Sequence, residues 1–228
     1  MNNLNNRSDS PRLSFRKHFA LNFLRFFFKL LYHQFAWTYD LVAAIVSLGA
    51  WQSWITSVMP YLDGPRILEI GFGPGHLLAA LSQKGFEIIG IDESIQMAQI
   101  AHRRLVRSGL GTNLIRGDAR TLPFVDQCFH QVVTTFPSEN IFTPASLLEI
   151  HRILVSDGEL IVLLMAWITG QKPMERAAAW INHVSGEAPE WDEKFLEPLK
   201  NLGFMITWET IEFENSHVLM IRMLKSST

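Results

Sequence analysis

The stretch ILEIGFGPGHLL, from Ile67 to Leu78, sets three glycines at alternate positions, Gly71, Gly73 and Gly75, directly after an apolar run. It reads as a strand over 66–70, a bare turn, and a helix over 75–84. Glycine at 71 permits a sharp turn, and glycines at 73 and 75 let backbone approach a ligand. The turn feeds a helix N-terminus, whose free N–H groups favour an anion. Two ligand classes suit such a turn, a dinucleotide and S-adenosylmethionine (SAM).

The rest of the chain continues the alternation. Strands are predicted at 86–91, 113–116, 131–135 and 159–166. Helices are predicted at 94–108, with Ser94 as cap, and from Pro144, whose fixed φ suits a first turn, with Thr143 as cap. That helix is expected to end before the Ser156–Gly158 turn. Further helices are expected at 173–183 and 192–202. Strands 204–213 and 218–224 then form a hairpin across ENSH. Alternating strands and helices imply a parallel sheet. The fold expected is α/β, a doubly wound, mostly parallel seven-stranded sheet with a C-terminal antiparallel hairpin and an N-terminal helical extension.

The glycine spacing discriminates between the two ligands. A dinucleotide loop is G-x-G-x-x-G, its third glycine allowing close helix–strand packing. His76 stands at that third position, and the spacing is G-x-G-x-G. For SAM the anion at the helix would be the methionine carboxylate. A second element, IIGIDES, ends a strand at Asp92, where a carboxylate can accept both ribose hydroxyls; capping of the next helix is the rival role. A third, IRGDARTLPF, sets Asp118 to accept from an adenine amino group and Ala119 to offer its N–H to the ring.

Composition narrows the class. The chain has 228 residues, 48% of them apolar and 18% charged, which suits one α/β domain with an added segment. The single Cys128 excludes an internal disulfide and a multi-cysteine metal site, and no metal is expected. Net charge is −2, but residues 1–33 carry six basic residues against Asp9, so +5, leaving −7 on the remainder. A basic front suggests an anionic surface, membrane ahead of nucleic acid. Residues 1–14 read as a mobile tail. Across 15–33, His18, Asn22, Arg25, Lys29 and His33 form one polar helical stripe beside Phe15, Phe19, Phe23, Phe26 and Phe27. Such a helix lies in a membrane interface or packs on its own domain. No cleavable signal peptide is read, and the uncharged run 41–62 is broken by Gly49 and Pro60. Cytoplasmic localisation with peripheral membrane contact through 15–33 is expected. The division is tail 1–14, helical segment 15–58 and SAM-binding domain 59–228.

From about Phe35 to Ala166 the sequence resembles a class I SAM-dependent methyltransferase, within that class most closely the ubiquinone/menaquinone C-methyltransferase group. FAWTYD at 35–40 and SLGAWQSW at 47–54 resemble that group's leading segment. CFHQVVTTFPSENI at 128–141 and EIHRILVSDGELIVL at 149–163 resemble its fourth motif and the helix, turn and strand after it. The resemblance implies cofactor contacts at Asp92, Asp118, Ala119 and Thr135, and the candidate cofactor-binding set adds Tyr39, Glu69, Gly71, Phe72, Gly73, Gly75, Glu93 and Met97. There are departures. His130 stands where the group has aspartate, Ser156–Gly158 replaces a Pro-Gly-Gly turn, and LVAAIV replaces a polar segment without the basic residues around Trp54.

Methyl transfer from a sulfonium is an in-line displacement with a neutral leaving group. No catalytic triad is required, and no catalytic residue is assigned. Where a proton must leave, the candidates are His33, His183, Glu139 and Tyr39. Tyr39 and Phe136 are placed to meet a sulfonium or to pack in the core. The tryptophans at 37, 51, 54, 167, 180 and 191 suggest a small apolar acceptor. The readings carried forward are transfer to a quinone-, lipid- or aromatic-like acceptor, phospholipid or amine N-methylation, and a catalytically silent SAM-binding partner at the membrane.

Overall fold

The structure is a computed structural model and describes residues 39–169, 199 and 202–226. The helices expected at 15–33 and 173–183 lie outside these residues, as does that at 192–202 apart from Leu199 and Leu202. Helices α1 (Tyr39–Val46) and α2 (Trp51–Thr56) lead into β1 (Ile67–Ile70), α3 (His76–Gln83), β2 (Ile88–Asp92), α4 (Ile95–Arg107), β3 (Leu114–Arg116) and β4 (Phe129–Thr135). Then come α5 (Pro144–Ile153), β5 (Leu154–Ile168), β6 (Phe204–Phe213) and β7 (Ser216–Lys225).

Seven strands form one sheet in the order β3-β2-β1-β4-β5-β7-β6, parallel except for β7, which is antiparallel to both neighbours. The order in which strands are added reverses between β1 and β4, which lie parallel. A crevice at the carboxyl ends of the strands is the usual ligand position at such a reversal. All four residues of β1 are buried, as a strand covered on both faces requires. One face packs Trp54, Leu77, Leu81, Ala101 and Leu105 from α2, α3 and α4; the other packs Leu147, Ile150 and Ile153 from α5.

Local chemistry sets the element ends. Ser94 Oγ accepts the Met97 N–H at 3.3 Å and starts α4, whose Met97, Ala101 and Leu105 fall on one buried face. Thr143 caps α5 with Pro144 at its first position. The buried Gln131 amide accepts N–H bonds from Asp63 and Gly64 at 2.9 and 2.7 Å and donates to Tyr61 O at 2.8 Å, which aligns the chain entering β1. The uncharged run 41–62 folds as two short helices parted at Leu48 and Gly49, both at positive φ (52° and 85°). No described helix is long and apolar enough to cross a membrane.

Two boundaries differ from the sequence reading. Ser156–Gly158 is not a free turn but part of the fifteen-residue β5, whose Leu154 already pairs with Phe129 before the register shifts. Asp157, at φ 60°, absorbs that irregularity as a bulge does. The final hairpin turns on two residues, 214–215, rather than four, so β7 begins at Ser216.

Gly75 also takes a different role. It sits at φ +79° as the residue before α3, and a Cβ there would lie 2.8 Å from Ala101 Cβ. Its bareness lets α3 pack on α4, whereas at Gly73, φ +50°, a Cβ would meet nothing within 4 Å. Gly75→Ala is therefore expected to cost about 2–4 kcal/mol from strain and overpacking together, and Gly73→Ala only about 1–2 kcal/mol from strain. Urea denaturation of the two variants checks this; equal losses would remove the packing role of Gly75.

Candidate cofactor cleft

A cleft of about 320 Å³, counting its space open to solvent, lies over the carboxyl ends of β1 and β4. Its lining combines Glu69, Gly71, Phe72, Gly73, Pro74 and Thr135 with Trp51, Ile55, His76 and Leu77. The turn is shaped by the Gly71 N–H to Ile91 O bond at 2.8 Å and the Gly75 N–H to Phe72 O bond at 2.9 Å. Gly71 and Gly73 have open space where a Cβ would project. The loop thus offers backbone unobstructed by side chains.

Two buried carboxylates support it. Asp92 Oδ2 accepts the Gly73 N–H at 2.9 Å and its Oδ1 accepts the Ser94 N–H at 2.8 Å, tying the glycine turn to the start of α4. Burial raises the Asp92 pKa, and these two bonds offset only part of that rise. Glu69 is 1% exposed, and its Oε2 has no hydrogen-bond partner. Burial, and then the neighbouring Asp92, push its pKa well above the ordinary carboxylate value against a bond from the Leu78 backbone. An unpartnered buried oxygen at the cleft floor suits a cationic ligand group such as an ammonium, which would repay its desolvation.

The aromatic side is built by α2 and the end of β4. The Trp51 ring lies 4.9 Å from Phe136 and 6.4 Å from Trp54. Trp54 is anchored by its indole N–H donating to Ser216 Oγ at 2.8 Å. Phe136 holds φ 50° and donates its N–H to Leu163 O at 2.7 Å.

Of the twelve contacts implied by the sequence, the cleft brings together Glu69, Gly71, Phe72, Gly73 and Thr135. The Phe72 side chain is itself 3% exposed and packs in the core. Asp92 reaches the cleft through Gly73. Met97 is fully buried within α4's core face, and Glu93 is exposed at the end of β2. Asp118 is held by Arg120, whose guanidinium reaches Oδ1 at 3.0 Å and Oδ2 at 2.5 Å and whose backbone N–H donates at 2.8 Å. These bonds lower its pKa. Ala119 is half-buried against the α5-side core. Tyr39 begins α1, with its side chain outside the described set, as are His33 and His183. Glu139 is exposed in a short 3-10 turn. Among the described residues, the titratable side chains lining the cleft are Glu69 and His76, and no trio of His, Cys, Asp or Glu is placed to hold a metal ion. Ile55, Pro74, His76 and Leu77 were not among the candidate site residues. Ile55 falls one helical turn after Trp51, which is the signal that could have found it.

Residues 67–158 match a family described as "Methyltransferase domain". The chain is 29% identical over 147 residues to a demethylmenaquinone methyltransferase of Thermobifida fusca, covering 62% of each chain. It is 29% identical over 142 residues to a ubiquinone/menaquinone biosynthesis C-methyltransferase of Legionella pneumophila, covering 58% of this chain and 57% of that one. The chain thus spans about three fifths of the length of these curated relatives. Among solved structures it resembles a Haemonchus contortus phosphoethanolamine N-methyltransferase complexed with S-adenosylhomocysteine, with TM-score 0.57, 16% identity and coverage of 78% of this chain and 53% of that one. A possible histamine N-methyltransferase from Thermotoga maritima superposes with TM-score 0.52 at 22% identity, covering 92% and 100%.

The raised Glu69 pKa has a stability consequence. The folded state favours the neutral acid, so stability declines as pH rises above the ordinary carboxylate value of 4.5, until the raised folded value is passed. Glu69→Gln, always neutral, should escape this decline. Urea denaturation at about pH 5 and about pH 8 should show the variant gaining on the wild type at the higher pH; a difference independent of pH would place a charged partner at Glu69.

Proposed function

We propose that this chain, whose residues 67–158 match a methyltransferase domain, is a SAM-dependent methyltransferase that transfers the methyl group to a small apolar acceptor with quinone-like ring chemistry. The observation that carries this reading is one cleft with two unlike sides. Bare glycine backbone and the unpartnered Glu69 oxygen form one side, and the Trp51 indole backed by Phe136 forms the other. The kinship with quinone-pathway methyltransferases favours the ring acceptor.

SAM, when bound, supplies a methyl group on a positively charged sulfur. The chain's own contribution is to bind and align. Gly71 and Gly73 would admit the ligand close to the backbone, and Glu69 would receive its ammonium. Asp92, which holds the Gly73 turn, would face the ribose with Glu93 beside it, Asp118 and Ala119 would meet the adenine, and Thr135 would line the cleft. Holding acceptor, methyl and sulfur in line supplies about 7–11 kcal/mol of the barrier reduction. Aromatic faces at Trp51 and Phe136 add about 0.5–2 kcal/mol of attraction for a cation and keep water from the reacting atoms. Such a mechanism needs no triad.

A membrane-soluble acceptor fits a surface-bound enzyme. Ile45, Val46 and Leu48 are 64%, 39% and 40% exposed on the segment leading to Trp51, and residues 1–33 carry a charge of +5 ahead of them. Basic residues near an anionic leaflet contribute about 1 kcal/mol each, and the apolar side chains add burial. The full chain is expected to float with anionic vesicles, less at high salt, and a chain lacking residues 1–33 to float weakly. Full-chain sedimentation would end the membrane reading.

Calorimetry tests the cofactor. S-adenosylhomocysteine should bind and NAD should not. Pairing Glu69 with the ammonium should expel a proton to the buffer, seen as binding heat that varies with buffer ionisation enthalpy. Methylthioadenosine, which lacks the amino-acid part, should bind without that variation, and Glu69→Gln should abolish it. NAD binding without S-adenosylhomocysteine binding would overturn the reading. Incubating a quinone and lipid extract with methyl-labelled SAM should place label in the apolar fraction; label confined to water-soluble amines would reject the ring acceptor.

A further inference from the structure

The segment between β3 and β4, residues 117–128, has no regular structure, yet it carries Asp118 and Ala119. We infer that Glu149 and Arg152, on the far side of the sheet in α5, form a positioning unit that fixes this loop in the shape that reads an adenine ring. The inference rests on the cofactor reading above.

The bonds converge on one stretch of loop. Arg152 donates from Nη2 to Leu122 O at 3.1 Å, and from Nη1 to Phe124 O at 2.8 Å and Asp126 Oδ1 at 2.7 Å. Its remaining bonds go to Glu149, from Nε to Oε1 at 2.9 Å and from Nη2 to Oε2 at 2.8 Å. Glu149 Oε2 in turn accepts the Leu122 N–H at 2.8 Å. Leu122 therefore has both backbone polar groups held by one ion pair, and its side chain is buried beside Leu147 and Ile150. From α5's end, Arg152 O and Ile153 O accept the N–H groups of Gln127 and Cys128 at 3.0 and 2.8 Å.

The other end of the loop is tied to the cofactor side. Gly117 donates to Asp92 O at 3.1 Å, and Thr121 closes a turn on Asp118 O at 3.1 Å. Residues 118–121 are thus suspended between β2, which carries the Asp92 clamp, and the Leu122 clamp of α5. Neither Asp118 nor Ala119 touches Glu149 or Arg152 in any of these bonds; the effect is transmitted through four residues of backbone. A guanidinium meets this demand because its planar fork serves two carbonyls and two carboxylates together. A lysine ammonium has neither the fork nor enough donors.

The test separates positioning from mere stability by using two ligands that differ at one group. S-inosylhomocysteine carries an oxo group where S-adenosylhomocysteine carries the adenine amino group. By calorimetry the wild type should prefer S-adenosylhomocysteine by about tenfold or more, as a lost or opposed hydrogen bond requires. Arg152→Lys should weaken S-adenosylhomocysteine binding and lower that preference by about threefold or more. A purely structural role would weaken both ligands alike. Where Arg152→Lys does not fold, Glu149→Gln, which keeps an acceptor for the Leu122 N–H but loses the ion pair, should lower the preference in the same direction. An unchanged preference in a folded Arg152 or Glu149 variant overturns the inference, as does a wild type that does not discriminate. Failure of the wild type to bind S-adenosylhomocysteine at all removes the cofactor reading and the inference with it.

Discussion

Asp92 ends β2 with both carboxylate oxygens committed to backbone N–H groups, Gly73 at 2.9 Å and Ser94 at 2.8 Å, and the cleft is arranged around that commitment. Three left-handed glycines have little stiffness of their own. A buried carboxylate with two donors gives the turn one shape, and charge-assisted bonds are about twice as strong as neutral ones. The same residue's backbone carbonyl receives Gly117, so the glycine turn, the start of α4 and the β3–β4 loop all refer to the end of one strand. Asp92 also raises the cost of ionising Glu69 beside it. One satisfied carboxylate, Asp92, thus holds the turn from behind, and one with an unpartnered oxygen, Glu69, lines the cleft on the adjacent strand.

The opposite wall depends on the sheet's antiparallel end. Trp54 reaches Ser216 at the first residue of β7, so the hairpin that closes the sheet also fixes the helix carrying Trp51. Arg222 bonds Glu159 at 2.7 Å across the β5–β7 pair and lies 5.6 Å from the Tyr61 ring centre, which ties the strand register to the chain entering β1. Phe136 tolerates a left-handed backbone at a cost of about 1–3 kcal/mol, because its N–H bond to Leu163 and its packing on Trp51 leave no relaxed alternative. Strain of this kind directly after Thr135 is a mark of a site rather than of a core.

The sequence by itself determined the alternation of elements, the caps at Ser94 and Thr143, the single antiparallel strand and the place of the glycine turn, because periodicity, capping chemistry and glycine's conformational freedom act over a few residues. It also marked Asp92 as a strand-end carboxylate and Glu69 and Thr135 as candidate cofactor contacts. What only the tertiary structure decided is which groups each of these meets. Gly75 is spent on Ala101, a contact between helices 26 positions apart in the chain and invisible to spacing. The SDG segment became a bulge because β4 was there to pair with Leu154. Glu149 and Arg152 acquire their backbone partners only where the fold lays the β3–β4 loop across them. Sequence patterns report the local free energy of a segment. A hydrogen bond or steric contact between distant segments exists only once the sheet has fixed their positions, and the cleft is made mostly of such contacts.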